Sequence, residues 1–253
     1  MPAYLDSPFI VLAVALIAQA IAALAGDFLR KHAHSFRQGE RHDFTTVQAA
    51  TLTLLALIIG FTFSMAVSRY DLRKALEEAE ANAIGTEYLR ADLLPAENRV
   101  PVRDLLRKYL DLRIAFYEQG SAYAGGEIGP QTAAAQEQLW GLVAPPAGAQ
   151  PSPTIALAVA GMNDVINAQG FTQAAWWNRI PNGAWAMMAL MAISCNLLVG
   201  YGERRKGELF LFILPVVISI AFFLIADLDN PRGGIIRVHP QNLLATAEAI
   251  RAR

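Results

Sequence analysis

Seven residues, Gln48, Thr51, Leu55, Ile58, Thr62, Met65 and Arg69, follow one another at alternating intervals of three and four. That spacing puts them on one face of an α-helix. The stripe has an amide and a hydroxyl at one end, an apolar middle with one further hydroxyl, and a guanidinium at the exit. Such a face can line a pore: an apolar constriction gates by dewetting, and an arginine at the mouth attracts anions. The same residue types also serve packing. Small and hydroxylated side chains mediate helix contacts in lipid, and a threonine hydroxyl can bond back to its own helix. Both readings stand on the residues alone.

Asp227, Asp229 and Asn230 form a second chemical group. Two carboxylates and an amide are suitable oxygen ligands for a hard cation such as Ca²⁺. Their spacing is not that of an EF-hand loop. Asp, Asn, Pro231 and Gly233 also favour turns, and either carboxylate can pair with Arg232 or with a base on a neighbouring helix. His32, His34 and His42 lie close together and could bind a transition metal, although Arg37 and Arg41 oppose a cation there. Solvated histidines that titrate near neutrality are the simpler account. Glu77, Glu78, Glu80 and Glu87, with Arg73, Lys74 and Arg90, suit surface pairs at helical spacing. The single Cys195 excludes an internal disulfide or a cysteine-rich metal site. No nucleophile–base pair, phosphate loop or metalloprotease helix is evident, so no enzyme is expected.

The elements that carry these residues follow from composition. Hydrophobic residues make up 54% of the 253, and charged residues only 17%, against about 25% in a typical soluble domain. The apolar excess sits in four blocks, about 8–29, 44–68, 181–202 and 209–226. Each is long enough for a membrane span, which needs roughly 20 apolar residues. The first block is preceded by Asp6 and by no Lys or Arg, the wrong start for a signal peptide, so a retained helix is expected. Trp176, Trp177 and Trp185 cluster near the third block, as expected in the headgroup zone. The net charge of −1 gives no field suited to nucleic acid.

Residues 69–179 read as a helical extramembrane domain, and 227–253 as a C-terminal tail. Residues 69–94 are good helix formers with no proline before Pro95, so the second span is expected to continue beyond the bilayer. Further helices are expected over 99–118, 131–143 and 155–170, with a loop over 120–130. Pro145, Pro146, Pro151 and Pro153 are expected to break the chain. The short loops carry Arg30, Lys31, Arg37 and Arg41, and Arg204, Arg205 and Lys206. Positive short loops stay in the cytoplasm, which predicts a middle domain on the non-cytoplasmic side.

Several ordered motifs sharpen the reading. They are Gly60-Phe61-Thr62-Phe63-Ser64, Arg69-Tyr70, the segment from Glu80 to Thr86, Tyr88-Leu89-Arg90, Leu94-Pro95, and the run from Asp227 to Gly234. Over about 44–240 this combination resembles the bestrophin-like family of four-helix membrane proteins, which is distantly similar to the bestrophin anion channels. The resemblance implies a homo-oligomer, a pentamer in bestrophins. It also implies that the second helix forms the pore neck, with Ile58 and Phe61 as constriction residues. It further implies Ca²⁺ bound after the last span, although the acidic run here is shorter. Glu80, Asn82 and Arg90 are implied at subunit contacts. Bestrophins keep their insert in the cytoplasm, opposite to the charge rule.

The expected protein is therefore all-α, with four transmembrane helices in a two-plus-two arrangement and a helical insert between the second and third. Its expected home is the bacterial inner membrane, its partners lipid, permeant ions and copies of itself. The expected function is an oligomeric ion channel, anion-conducting (a chloride channel), with its pore lined by the second helix. A membrane-anchored sensor or scaffold, whose helical domain binds a ligand or protein, is the alternative.

Overall fold

The computed structural model describes residues 7–32, 38–119, 127–149, 151–202 and 208–252. Among them are eight α-helices and no strand: α1 (Pro8–His32), α2 (Gln38–Arg90), α3 (Ala96–Glu118), α4 (Ile128–Ala149), α5 (Pro153–Trp177), α6 (Asn182–Gly202), α7 (Glu208–Asp229) and α8 (Gln241–Arg251). Four stretches are long and apolar enough to cross a membrane: α1, α2, the stretch Pro153–Gly202 that ends in α6, and α7. The chain is an all-α membrane protein with two spans before a helical extramembrane insert and two after it. It divides into two units, one of residues 1–69 and 179–236, the other of 70–178 and 237–253.

In the first unit α1 packs along both α6 and α7. Glycines allow the close approach. A Cβ on Gly26 would lie 2.1 Å from the Leu197 carbonyl oxygen, and one on Gly200 would lie 2.0 Å from that of Ala23. The polar exception of the first block, Gln19, is buried and joins the three helices. Its Nε2 donates to Ser219 Oγ at 3.3 Å, and its Oε1 accepts from Asn196 Nδ2 at 3.1 Å. Hydrogen bonds of this kind are a recognised adhesive between helices in lipid. At the end of α2, Phe44 packs on Tyr201 of α6, with ring centroids 5.6 Å apart.

The second unit contains residues 70–90 of α2, a 3₁₀ turn at Ala91–Leu93, α3, α4, α5 and α8. Its apolar core includes Ile84, Leu106, Tyr109, Leu139, Met162 and Leu243. Ser152 caps α5 by accepting from the Ile155 amide at 3.2 Å, and Pro153 follows at the first helical position.

Several expectations need correction here. Pro145 and Pro146 do not break the chain, because α4 runs through both to Ala149. Pro146 has no amide to donate to Leu142, and Asn98 Nδ2 of α3 fills that position, donating to the Leu142 carbonyl at 3.1 Å. Residues 128–130, expected in a loop, begin α4, and 120–126 lie outside the described residues. The tail forms α8, because Leu243, Ala247 and Ile250 recur at helical spacing and are buried in the core. Trp176, expected in the headgroup zone, belongs to the core of this unit. It is buried against Phe116 and Tyr117, at centroid distances of 4.8 and 5.4 Å.

Candidate functional site

The long helix α2 carries the pore-face candidates, and the structure distributes them unevenly. Leu55 and Thr62 are buried, exposing only 2% and 3% of their surface. Gln48, Thr51, Ile58 and Arg69 are half-buried, and Met65 is exposed. Leu55 faces α7 across an apolar gap of about 400 Å³ shared with Leu214 and Ile218. The hydroxyls of Thr51 and Thr62 donate to the carbonyls of Val47 and Ile58, at 2.7 and 2.8 Å. Leu55 and Thr62 therefore turn toward their own chain, while the back-bond is shared by the exposed Thr46 and Thr53, whose hydroxyls donate to the carbonyls of His42 and Ala49 at 3.0 and 2.9 Å.

The opposite face of α2 is bare. Thr46, Ala50, Thr53, Leu57, Gly60, Phe61, Ser64 and Ser68 are all exposed, and Phe61 exposes 66% of its surface. A Cβ on Gly60 would meet nothing within 4 Å. The other spans differ. The large exposed side chains of α1 include Phe9, Val14, Ile17 and Ile21, those of α6 Leu190 and Ile193, and those of α7 Val217 and Ile220. The exposed surface of α2 also carries large apolar residues, among them Leu54, Leu57 and Phe63, and differs in adding hydroxyls to them.

After α7, the acidic segment organises its own turn. Asp227 Oδ1 and Oδ2 accept from the amides of Ile235 and Ile236 at 2.6 and 2.9 Å. Asp229 Oδ1 and Oδ2 both accept from the Ile180 amide, at 3.0 and 3.2 Å, and Oδ1 lies 3.6 Å from Arg69 Nη1. Asn230 Oδ1 accepts from the amides of Arg232 and Gly233 and from Arg179 Nη2. Gly234 is required beside Asp227, since a Cβ there would lie 2.2 Å from Oδ1. Oxygens engaged in this way do not fit a Ca²⁺ site, and the donors around them include cations. No cluster of three or more His, Cys, Asp or Glu that could hold a metal occurs among the described residues. His34 lies outside them, and His32 Nδ1 sits 2.9 Å from the Phe28 carbonyl.

In the second unit, the charged extension of α2 is a solvated surface only in part, at Lys74 and Glu78. Arg73, Glu77, Glu80 and Glu87 are buried, and with Ile84 they follow helical spacing. Arg73 donates to the carbonyls of Ala175 and Asn178. Glu77 caps α8, accepting from the amides of Asn242 and Leu243 at 3.0 Å each and from Asn242 Nδ2 at 2.6 Å. Glu80 pairs with Arg113 and accepts from Thr172 Oγ1 at 3.1 Å. Glu87 is buried against Gly161, where an added Cβ would lie 2.0 Å from its Oε2. Neither of its oxygens has a hydrogen-bond partner. Burial, with a smaller push from Asp164, raises its carboxyl to about 8 despite the pull of Arg90.

Comparison with known proteins decides the family. The model described as the Bestrophin-like domain matches residues 10–243. This chain belongs to the bestrophin-like family. No curated protein matches the sequence. Among solved structures, mutant forms of a bacterial bestrophin homologue from Klebsiella pneumoniae share the fold. One aligns with a TM-score of 0.64 at 13% identity, covering 96% of each chain. Another aligns with a TM-score of 0.61 at 15% identity, covering 97% of this chain and 96% of that one.

In this bestrophin-like chain, residue reading missed the buried polar side of the extension. A signal was present. Residues 73, 77, 80, 84, 87 and 91 share one face, and that face offers few apolar residues for a helix that needs an inward side. Asn82 of the family motif is exposed, whereas Glu80 spends its carboxylate inside its own chain.

Proposed function

We propose that this bestrophin-like chain assembles into a closed ring and conducts ions along an axis lined by α2, with anions as the permeant species. One observation carries the reading. Among the described spans, α2 alone exposes hydroxyl side chains, at Thr46, Thr53, Ser64 and Ser68, around an apolar middle at Leu57 and Phe61. The described residues of a single chain offer no evident polar path, and cyclic symmetry is the usual way for copies to enclose one. A pentamer is the ring the family resemblance implies. The apolar middle would form a dewetting constriction. The positive edge of a phenylalanine ring tolerates an anion better than a cation, and the exposed stripe between Thr46 and Ser68 carries no carboxylate. In this reading Leu55 and Thr62 hold the neck from behind, and Arg69 balances Asp229. The site of action is the bacterial inner membrane.

The test is conductance in planar bilayers with a salt gradient. Phe61→Ala should raise conductance severalfold, Ile58→Ala less so, and the reversal potential should follow chloride. A protein that stays monomeric by light scattering, or one whose conductance is indifferent to Phe61→Ala, Leu57→Ala and Ser64→Ala, overturns the proposal.

A further inference from the structure

The first unit holds a cavity of about 310 Å³ between α1, α6 and α7. Each helix contributes one face: Val14 and Ala18 from α1, Ala189 and Ile193 from α6, Phe222 and Ala226 from α7. The spacings of four identify single helical stripes, and the small alanines create the space. The cavity is graded from polar to apolar. Arg179, Trp185, Asp229 and Asn230 lie at the end where α7 finishes and α6 begins. Gln19 lies toward the other end, already satisfied by Ser219 and Asn196.

Two features point to an occupant. Trp185 Nε1 lies in the cavity wall, is buried and has no hydrogen-bond partner. A buried donor without an acceptor is costly, and an acceptor on a ligand would remove that cost. The second feature is a cation at the same end: Arg179 lines the cavity and donates from Nη2 to Asn230 Oδ1 at 3.4 Å. Beside the cavity, Ile17 on α1 and Leu190 on α6 are exposed apolar residues of membrane spans. A ligand arriving from that side comes from the bilayer.

We propose that this cavity is a binding site for a membrane phospholipid. One acyl chain fills the alanine-lined stem, and phosphate or ester oxygens accept from Trp185 Nε1 and face Arg179. The site does not depend on whether the protein conducts ions.

The experiment is native mass spectrometry of the full chain purified in mild detergent, with the retained lipid identified by mass. The unaltered protein should keep one phospholipid per chain through detergent exchange. Ala189→Phe, which fills the stem, should abolish retention, and Trp185→Phe, which keeps the ring but removes the donor, should reduce it severalfold. Thermal melts would show that each variant is folded. If Ala189→Phe does not fold, Trp185→Phe together with Arg179→Gln decides the matter. Absence of retained lipid, equal retention in the folded variants, or retention of free fatty acid alone overturns the proposal. So does a cysteine at Ala186 that crosslinks efficiently to a second chain, since a neighbouring subunit would then cover the cavity.

Discussion

Glu80 of α2 and Arg113 of α3 form an ion pair closed to solvent, with 0% and 1% of their side chains exposed. Thr172 donates to the same carboxylate, and the guanidinium lies over the Phe116 ring at 4.4 Å. Burial alone would disfavour the charged arginine, but Glu80 outweighs it, and the pKa of Arg113 moves upward. Removing one partner leaves a buried charge uncompensated, which costs about 3–5 kcal/mol. Glu80→Ala and Arg113→Met should each lower denaturant stability by that order. An apolar replacement of both should lose less than the sum, because no charge is then stranded.

Glu87 predicts a pH dependence of opposite sign to that of an ordinary carboxylate. Its pKa rises from 4.5 to about 8 on folding, chiefly through burial. The folded state therefore holds a proton that the unfolded state releases, and stability falls as pH rises from 4.5 toward 8. The melting temperature should decline across that window and level off above it. Glu87→Gln should flatten the profile while keeping the shape of the side chain. An unchanged slope would refute this account of Glu87.

The turn after α7 should depend on Asp227 and be indifferent to Ca²⁺. Asp227→Ala strands the amides of Ile235 and Ile236, at a cost of about 1–3 kcal/mol for each group left buried. Chelation with EGTA should leave the melting temperature of the unaltered protein where it was.

At the crossing of α1 and α6, Gly200→Leu should be severely damaging, because even a Cβ would meet the Ala23 carbonyl at 2.0 Å. Overpacking typically costs about 1–3 kcal/mol, and a contact with backbone cannot be relieved by a rotamer change. Gly141→Leu, at a glycine with nothing within 4 Å, should leave the melt unchanged.

Orientation is read by a cysteine at Gly141, an exposed position of α4, since the native Cys195 is buried. The short-loop charges predict labelling of intact cells by an impermeant maleimide. Labelling only after permeabilisation would place the insert in the cytoplasm, the side that the family resemblance implies.

Local chemistry was enough to determine the four spans and the uninterrupted α2. Apolar length is summed residue by residue, and nothing before Pro95 removes a backbone donor. The start of α5 was not read: Pro153, expected to break the chain, is its first residue, behind the cap Ser152. Partners distant in the chain were not legible. Glu80 finds Arg113 33 residues away, and Glu77 finds Asn242 165 residues away, so acids that suit a solvated face became the polar interior of the insert. Pro146 is tolerated in α4 because Asn98 serves the carbonyl it deprives. The faces of α2 were decided in the same way. Helical periodicity groups its residues into stripes, but only packing against α7 shows that Leu55 turns inward and leaves Phe61 bare.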